Sequence, residues 1–150
     1  MIDYSKGKIH IVQFNDSDAV YIGSTTMELL NRFQKHKYQS HCSLFKYVKS
    51  HHNGDWSKCN IELLQNAECR CRNELETLEG AKITELMNSN NYIIINKSIA
   101  GRTLEEYYKD NIAKYKKYYD NNIAKIRKYY KDNAELKKAS QRAYDAKINI

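Results

Sequence analysis

Lys8-Ile9-His10-Ile11-Val12-Gln13-Phe14 and Ala19-Val20-Tyr21-Ile22, joined by Asn15-Asp16-Ser17-Asp18, decide the fold class of this chain. Two β-rich runs on either side of a cluster of turn residues predict a hairpin. A helix follows. Thr25 and Glu28 have the T-x-x-E spacing of a capping box, with Leu29, Leu30 and Phe33 as the apolar stripe. A shorter helix is expected over residues 43–50 and a third strand over 60–64. Asn73 with Glu76 marks another helix start, running to about Met87. Tyr92-Ile93-Ile94-Ile95-Asn96 is short and apolar, and is expected as a buried closing segment. The order β-β-α-α-β-α predicts a small α+β domain, a three-stranded antiparallel sheet flanked by helices.

Working outward, the chain of 150 residues divides near Asn96–Gly101. Residues 1–97 form the expected domain. Residues 98–150 become one long polar pattern in which Tyr107-Tyr108-Lys109-Asp110-Asn111-Ile112-Ala113-Lys114 returns as Tyr118-Tyr119-Asp120-Asn121-Asn122-Ile123-Ala124-Lys125 and again from Tyr129-Tyr130. Eleven residues are almost three helical turns, so the repeat predicts a long helical tail, continuous or broken at its Asp-Asn pairs. The net charge of +7 is uneven: residues 1–97 hold 12 Lys and Arg against 11 Asp and Glu, and residues 98–150 hold 13 against 7. The positive field belongs to the tail and favours polyanions, nucleic acid first. Lys, Asn, Ile and Tyr are abundant and Pro is absent, a bias that AT-rich codons also produce.

The mean hydropathy is −0.81, and no apolar run reaches the ~18 residues of a membrane span. The start, Met1-Ile2-Asp3-Tyr4-Ser5-Lys6, has no apolar signal core. The expectation is a soluble, intracellular protein with no membrane partner. In that setting Cys42, Cys59, Cys69 and Cys71 are expected as free thiols. With His41, His51 and His52 they supply zinc-ligand types, but Cys69-Arg70-Cys71 and the other spacings match no closed zinc module.

Three groups of residues could carry chemistry. Tyr21-Ile22-Gly23-Ser24-Thr25 ends a strand and begins a helix, which brings the Tyr21 hydroxyl near a helix N-terminus that attracts phosphate; a tyrosine on a strand end also serves simply as packing. Arg32 and His36 are spaced i, i+4 and share a helix face at the border of core and solvent. A guanidinium there could hold a phosphate and an imidazole could steer a proton, or both could line a solvated edge. On the helix from Asn73, Leu75, Leu78, Ile83 and Leu86 make an apolar side, and Glu79 falls inside it. A carboxylate on a core face needs an ion-pair partner or a cation. Mg²⁺ is apt, because it asks for one or two carboxylates and keeps its waters.

Together these pieces resemble the GIY-YIG endonuclease superfamily over about residues 7–97. The second signature stands as Tyr21-Ile22-Gly23, continuing as Ser24-Thr25. Lys8-Ile9-His10 occupies the place of Gly-Ile-Tyr. Arg32 and His36 match the family's helix Arg and His, Glu79 its metal-binding Glu between Leu75 and Ile83, and Asn96 its closing Asn. The resemblance implies an endonuclease, a hydrolase of DNA phosphodiester bonds that uses Mg²⁺ or Mn²⁺ held by Glu79. Arg32 would stabilise phosphate charge, His10, Tyr21 and His36 would position and deprotonate water, and Asn96 would order the site. An imidazole at His10 is a competent base near neutral pH; equally, the departure could mark a binding-only descendant of the fold.

The implied partner is DNA, in double-stranded form. Lys35 on the first helix and Lys114, Lys117, Lys125, Arg127 and Lys128 on the tail are the expected DNA-binding residues, the tail serving as an affinity arm. The alternative for the tail is self-association through its tyrosine stripe. Tyrosine-rich basic repeats after such a domain look like those of a viral or mobile-element protein.

Overall fold

The computed structural model describes residues 2–148; residues 1, 149 and 150, at the ends of the expected domain and tail, lie outside the described residues. The β-rich runs form a hairpin of two long strands, β1 (Gly7–Phe14) and β2 (Ser17–Thr25). Only Asn15 and Asp16 lie between them, since Ser17 and Asp18 already belong to β2. A third strand, β3 (Cys59–Ala67), pairs antiparallel with the other side of β1.

The architecture is α+β, but the sheet is four-stranded and mixed, in the order β3-β1-β2-β4, rather than three-stranded and antiparallel. The closing segment, expected to be buried, supplies the edge strand β4 (Ile93–Ile94), which runs parallel to β2, pairs only with Ala19 and Val20 and, having no neighbour on its outer side among the described residues, leaves Ile93 63% exposed. The main-chain groups along the edge of β2 need partners. Ile95 N donates to Val20 O at 3.0 Å. The Asn96 amide then continues the ladder with a side chain: Oδ1 accepts from Ile22 N at 2.9 Å and Nδ2 donates to Ile22 O at 2.7 Å. Past Ile22, no strand among the described residues pairs with this edge.

Strand alternation divides the core in two. Ile9, Ile11, Val20 and Ile22 face α3 (Arg72–Ser89) and bury its Leu75 and Ile83. Val12, Phe14 and Ala19 face the other way and pack on Leu44 and Val48 of α2 (Ser43–His51). Each fully buried aliphatic side chain contributes roughly 1.5–3 kcal/mol.

Two expected helix starts are corrected. Thr25 opens no capping box, because β2 runs through it; its Oγ1 accepts from Met27 N at 3.0 Å. Helix α1 (Leu29–His36) takes Glu28 as its cap residue without a side-chain cap bond, and Glu28 instead accepts from Lys8 Nζ at 3.2 Å. Leu30, placed on the apolar stripe from sequence, is 74% exposed, and the residue α1 buries is His36. In α3, Asn73 lies inside the helix rather than at its start, and Glu76 pairs with Arg72 Nε at 2.6 Å. Leu78, expected on the apolar side, is exposed, whereas Gly80 is buried.

Packing beyond Asn96 extends this unit to Arg102. Gly80 lies against the Ala100 carbonyl, and Gly101, at φ 63°, sits on the Thr77 backbone where a side chain has no room. The second unit is α4 (Leu104–Ile148), one uninterrupted helix of 45 residues. Thr103 and Glu106 form a reciprocal capping box at its start: Glu106 N donates to Thr103 Oγ1 at 3.2 Å and Thr103 N to Glu106 Oε2 at 2.8 Å. The asparagines that could have broken it are absorbed: Asn111, Asn122 and Asn133 donate from Nδ2 to the carbonyls of Tyr107, Tyr118 and Tyr129 at 2.8, 2.8 and 2.7 Å. No helix among the described residues is long and apolar enough to cross a membrane.

Candidate active site

Where β2 passes beyond its partner β4, the sheet edge opens into a cleft of about 390 Å³. Tyr21, Ser24 and Thr25 of β2, Arg32 of α1, and Glu76 and Glu79 of α3 line it. The position of Glu79 follows from both periodicities. Ser24 is on the same face of β2 as Val20 and Ile22, the face that α3 covers. Glu79 is on the inward side of α3, one turn from Leu75 and Ile83. The two meet: Ser24 Oγ donates to Glu79 Oε2 at 2.6 Å.

Burial raises the Glu79 carboxyl above the usual carboxylate range, while the Ser24 hydrogen bond and the Arg32 charge oppose the rise. Arg32 shares the cleft with Glu79 without forming an ion pair with it, and its buried Nε has no hydrogen-bond partner in the protein. A cation and a carboxylate that face one cleft unpaired leave room for a group that satisfies both. Among the described residues no three His, Cys, Asp or Glu side chains converge on one point to hold a metal. A single carboxylate with its second oxygen available nevertheless fits Mg²⁺ or Mn²⁺, which complete their shells with water and phosphate oxygens. Glu76 is less available, since Arg72 holds it.

His10 and His36 belong to the opposite face of the sheet. Both are fully buried, and neither lines the cleft. Their rings lie 5.8 Å apart, and Tyr21 packs against both, at 6.5 Å from His10 and 5.2 Å edge-on from His36. Neither nitrogen of His10 has a partner, nor has His36 Nε2, while His36 Nδ1 lies 3.7 Å from Cys42 Sγ. Burial, with the positive charge of Arg32 nearby, pushes both imidazoles down to about 3. Tyr21 is raised above the usual phenol range, by burial first and Cys42 second, so it stays a neutral donor. His10, expected to meet the attacking water, is a buried imidazole packed against Tyr21 in the core.

Gly23 explains this arrangement. It lies within β2, directly across from His10. A Cβ at Gly23 would stand 2.8 Å from His10 Nε2 and 3.0 Å from Tyr21 Cε1. The glycine makes space for the rings. Asn96 likewise acts through the backbone, clamping Ile22 between Tyr21 and Gly23.

The structure thus brings together Tyr21, Arg32 and Glu79, sets His10 and His36 behind Tyr21, and uses Asn96 as a strut. Ser24 and Cys42 were missed as members. The signal that could have found Ser24 is strand alternation, which sets it on the face of Val20 and Ile22; no sequence signal points to Cys42. Lys35 is exposed on α1, and Lys114, Lys117, Lys125, Arg127 and Lys128 are exposed on α4. Cys42, Cys59, Cys69 and Cys71 are free thiols. Compared with protein-family profiles, curated proteins and solved structures, the chain finds no match.

Proposed function

We propose that the domain is an endonuclease of GIY-YIG type, hydrolysing DNA phosphodiester bonds with a divalent cation. The observation that carries the reading is the cleft that Tyr21, Arg32 and Glu79 line together, with Arg32 and Glu79 forming no ion pair and Arg32 Nε without a partner. Glu79 would hold Mg²⁺ or Mn²⁺; such an ion, when bound, neutralises phosphate charge and acidifies a water. Arg32 binds the phosphate oxygens and takes up the charge that grows as the water oxygen bonds to phosphorus and the bond to the sugar oxygen breaks. Tyr21 donates a hydrogen bond at the edge of the cleft. Ser24 fixes the Glu79 carboxylate, Asn96 holds the strand beneath, and the neutral His10 and His36 keep the Tyr21 ring in place.

The tail, with its 11-residue repeats, is proposed to add DNA affinity to a nearly neutral domain, Lys35 contributing from α1. Burial of His10 favours a second reading, a catalytically silent module of the same fold that binds DNA or a protein partner. Incubation with supercoiled plasmid in Mg²⁺ or Mn²⁺ separates the two. Nicking that Glu79→Ala abolishes, with DNA affinity retained, is the expected result. A Glu79→Ala protein that still nicks removes the metal assignment, and absence of nicking under either ion favours the binding module.

A further inference from the structure

Helix α4 presents its rings on one side. Laid out at three turns per eleven residues, about 98° per residue, Leu104, Tyr115 and Ile126 fall on one line. Tyr107, Tyr118 and Tyr129 lie about 65° to one side of it, and Asn111, Asn122 and Asn133 lie between at about 33°. On the other side come Tyr108, Tyr119 and Tyr130 at about 33°, then Ile112, Ile123 and Ala134 at about 65°. These 15 residues contain no charge, whereas all 14 charged residues between Leu104 and Leu136 lie off the stripe. The stripe is open to solvent: Tyr118, Tyr119, Tyr129 and Tyr130 are each more than half exposed, as are Leu104 and Ile112.

We propose that this stripe is a seam through which the tails of two copies of the chain pair, parallel and in register. The inference rests on the tail alone and stands whether or not the domain cuts DNA. A long helix is stabilised mainly by burying one face, and α4 leaves this one uncovered along some 50 Å at 1.5 Å per residue. Seven half-exposed tyrosines with the Leu and Ile between them offer on the order of 800 Å² per chain, the size of a standard interface. An uncharged stripe is complementary to its own copy, and an 11-residue period keeps two such stripes together with only a slight right-handed supercoil. The asparagines set the register. Each amide is oriented by its bond to the carbonyl one turn back; in the parallel, in-register pair every asparagine faces its own copy, whereas an antiparallel pair would set Asn111 against Asn133.

Lys114, Lys116, Lys125 and Arg127 flank the stripe on its two sides, so pairing brings like charges together. Salt should therefore strengthen the dimer, whereas it weakens any contact of the same stripe with nucleic acid. Sedimentation equilibrium of the full chain tests this. The dimer should tighten several-fold between about 0.1 and 0.5 M salt. Ile112→Gln/Ile123→Gln/Ile126→Gln should weaken it at least about tenfold with α-helical circular dichroism retained, and Lys125→Gln/Lys128→Gln should not weaken it. Asn111→Cys should cross-link to itself under mild oxidation, above the level of the unsubstituted chain, which carries the test if the triple variant loses helix. A monomer at about 0.5 M salt, a triple variant that dimerises unchanged, association that falls with salt, or a dimer that Asn111→Cys does not cross-link overturns the proposal.

Discussion

Gly23 and His10 stand directly opposite one another on β2 and β1, and a single methyl on Gly23 would reach 2.8 Å from His10 Nε2. The glycine and the imidazole are one packing unit, with Tyr21 as its third member. Gly23→Ala is expected to destabilise the domain by about 1–3 kcal/mol, the cost of overpacking a filled core. His10→Ala leaves a cavity and also destabilises. The two together should cost less than their sum, because the new methyl enters the space the ring vacates, with a coupling above about 0.5 kcal/mol. Urea unfolding of the four proteins measures this, and additive effects would show that the two residues do not touch.

The same buried histidines make stability depend on pH. His10 and His36 are held down to about 3 in the folded state, against 6.5 for an ordinary imidazole. Between those values the unfolded chain binds protons that the folded chain refuses, so stability rises with pH across the window and is lost as pH falls from about 6.5 towards 3. Each histidine contributes at most about 1.4 kcal/mol per pH unit. Glu79, whose carboxyl is raised, works in the opposite sense, as one group against two. The urea midpoint should be level above neutral pH and fall steadily from pH 6 to pH 4, while the imidazole NMR signals of His10 and His36 stay those of the neutral ring. Titration of either ring near 6.5 in the folded protein would contradict the packing described.

How much of this was legible in the sequence follows from which periodicity carried the information. The hairpin and the inward position of Glu79 are local patterns, of period 2 and period 3.6, and both reappear in the structure. Ile93-Ile94 was too short to read as a strand; it becomes one because the backbone of Ala19 and Val20 needs partners. Arg32 and His36 do share a side of α1, but that side meets two surroundings: the guanidinium lines the cleft and the imidazole enters the core. Alternation along β1 and β2 already separated His10 and Tyr21 from Ser24. What it could not tell is that the cleft wraps the free edge of β2 and collects Tyr21 from one face and Ser24 from the other. That depends on where β4 stops.

Charge on α4 separates the DNA contacts proposed for the tail from its stripe. Lys114, Lys117, Lys125, Arg127 and Lys128 are exposed and lie off the uncharged face, so replacing them with Gln should leave the helix and its apolar seam intact. If they meet phosphates, each loss removes one released counterion, and the slope of log affinity against log salt should fall by about 0.9 per residue. Binding of a duplex by the fivefold variant should therefore weaken most at low salt and converge on the parent as salt rises. Contacts to phosphate carry no sequence information, so the weakening should be alike for unrelated duplex sequences. Fluorescence anisotropy over a salt series measures the slope directly. An unchanged slope would move the contacts off the tail and leave Lys35 and the cleft of the nearly neutral domain to carry them.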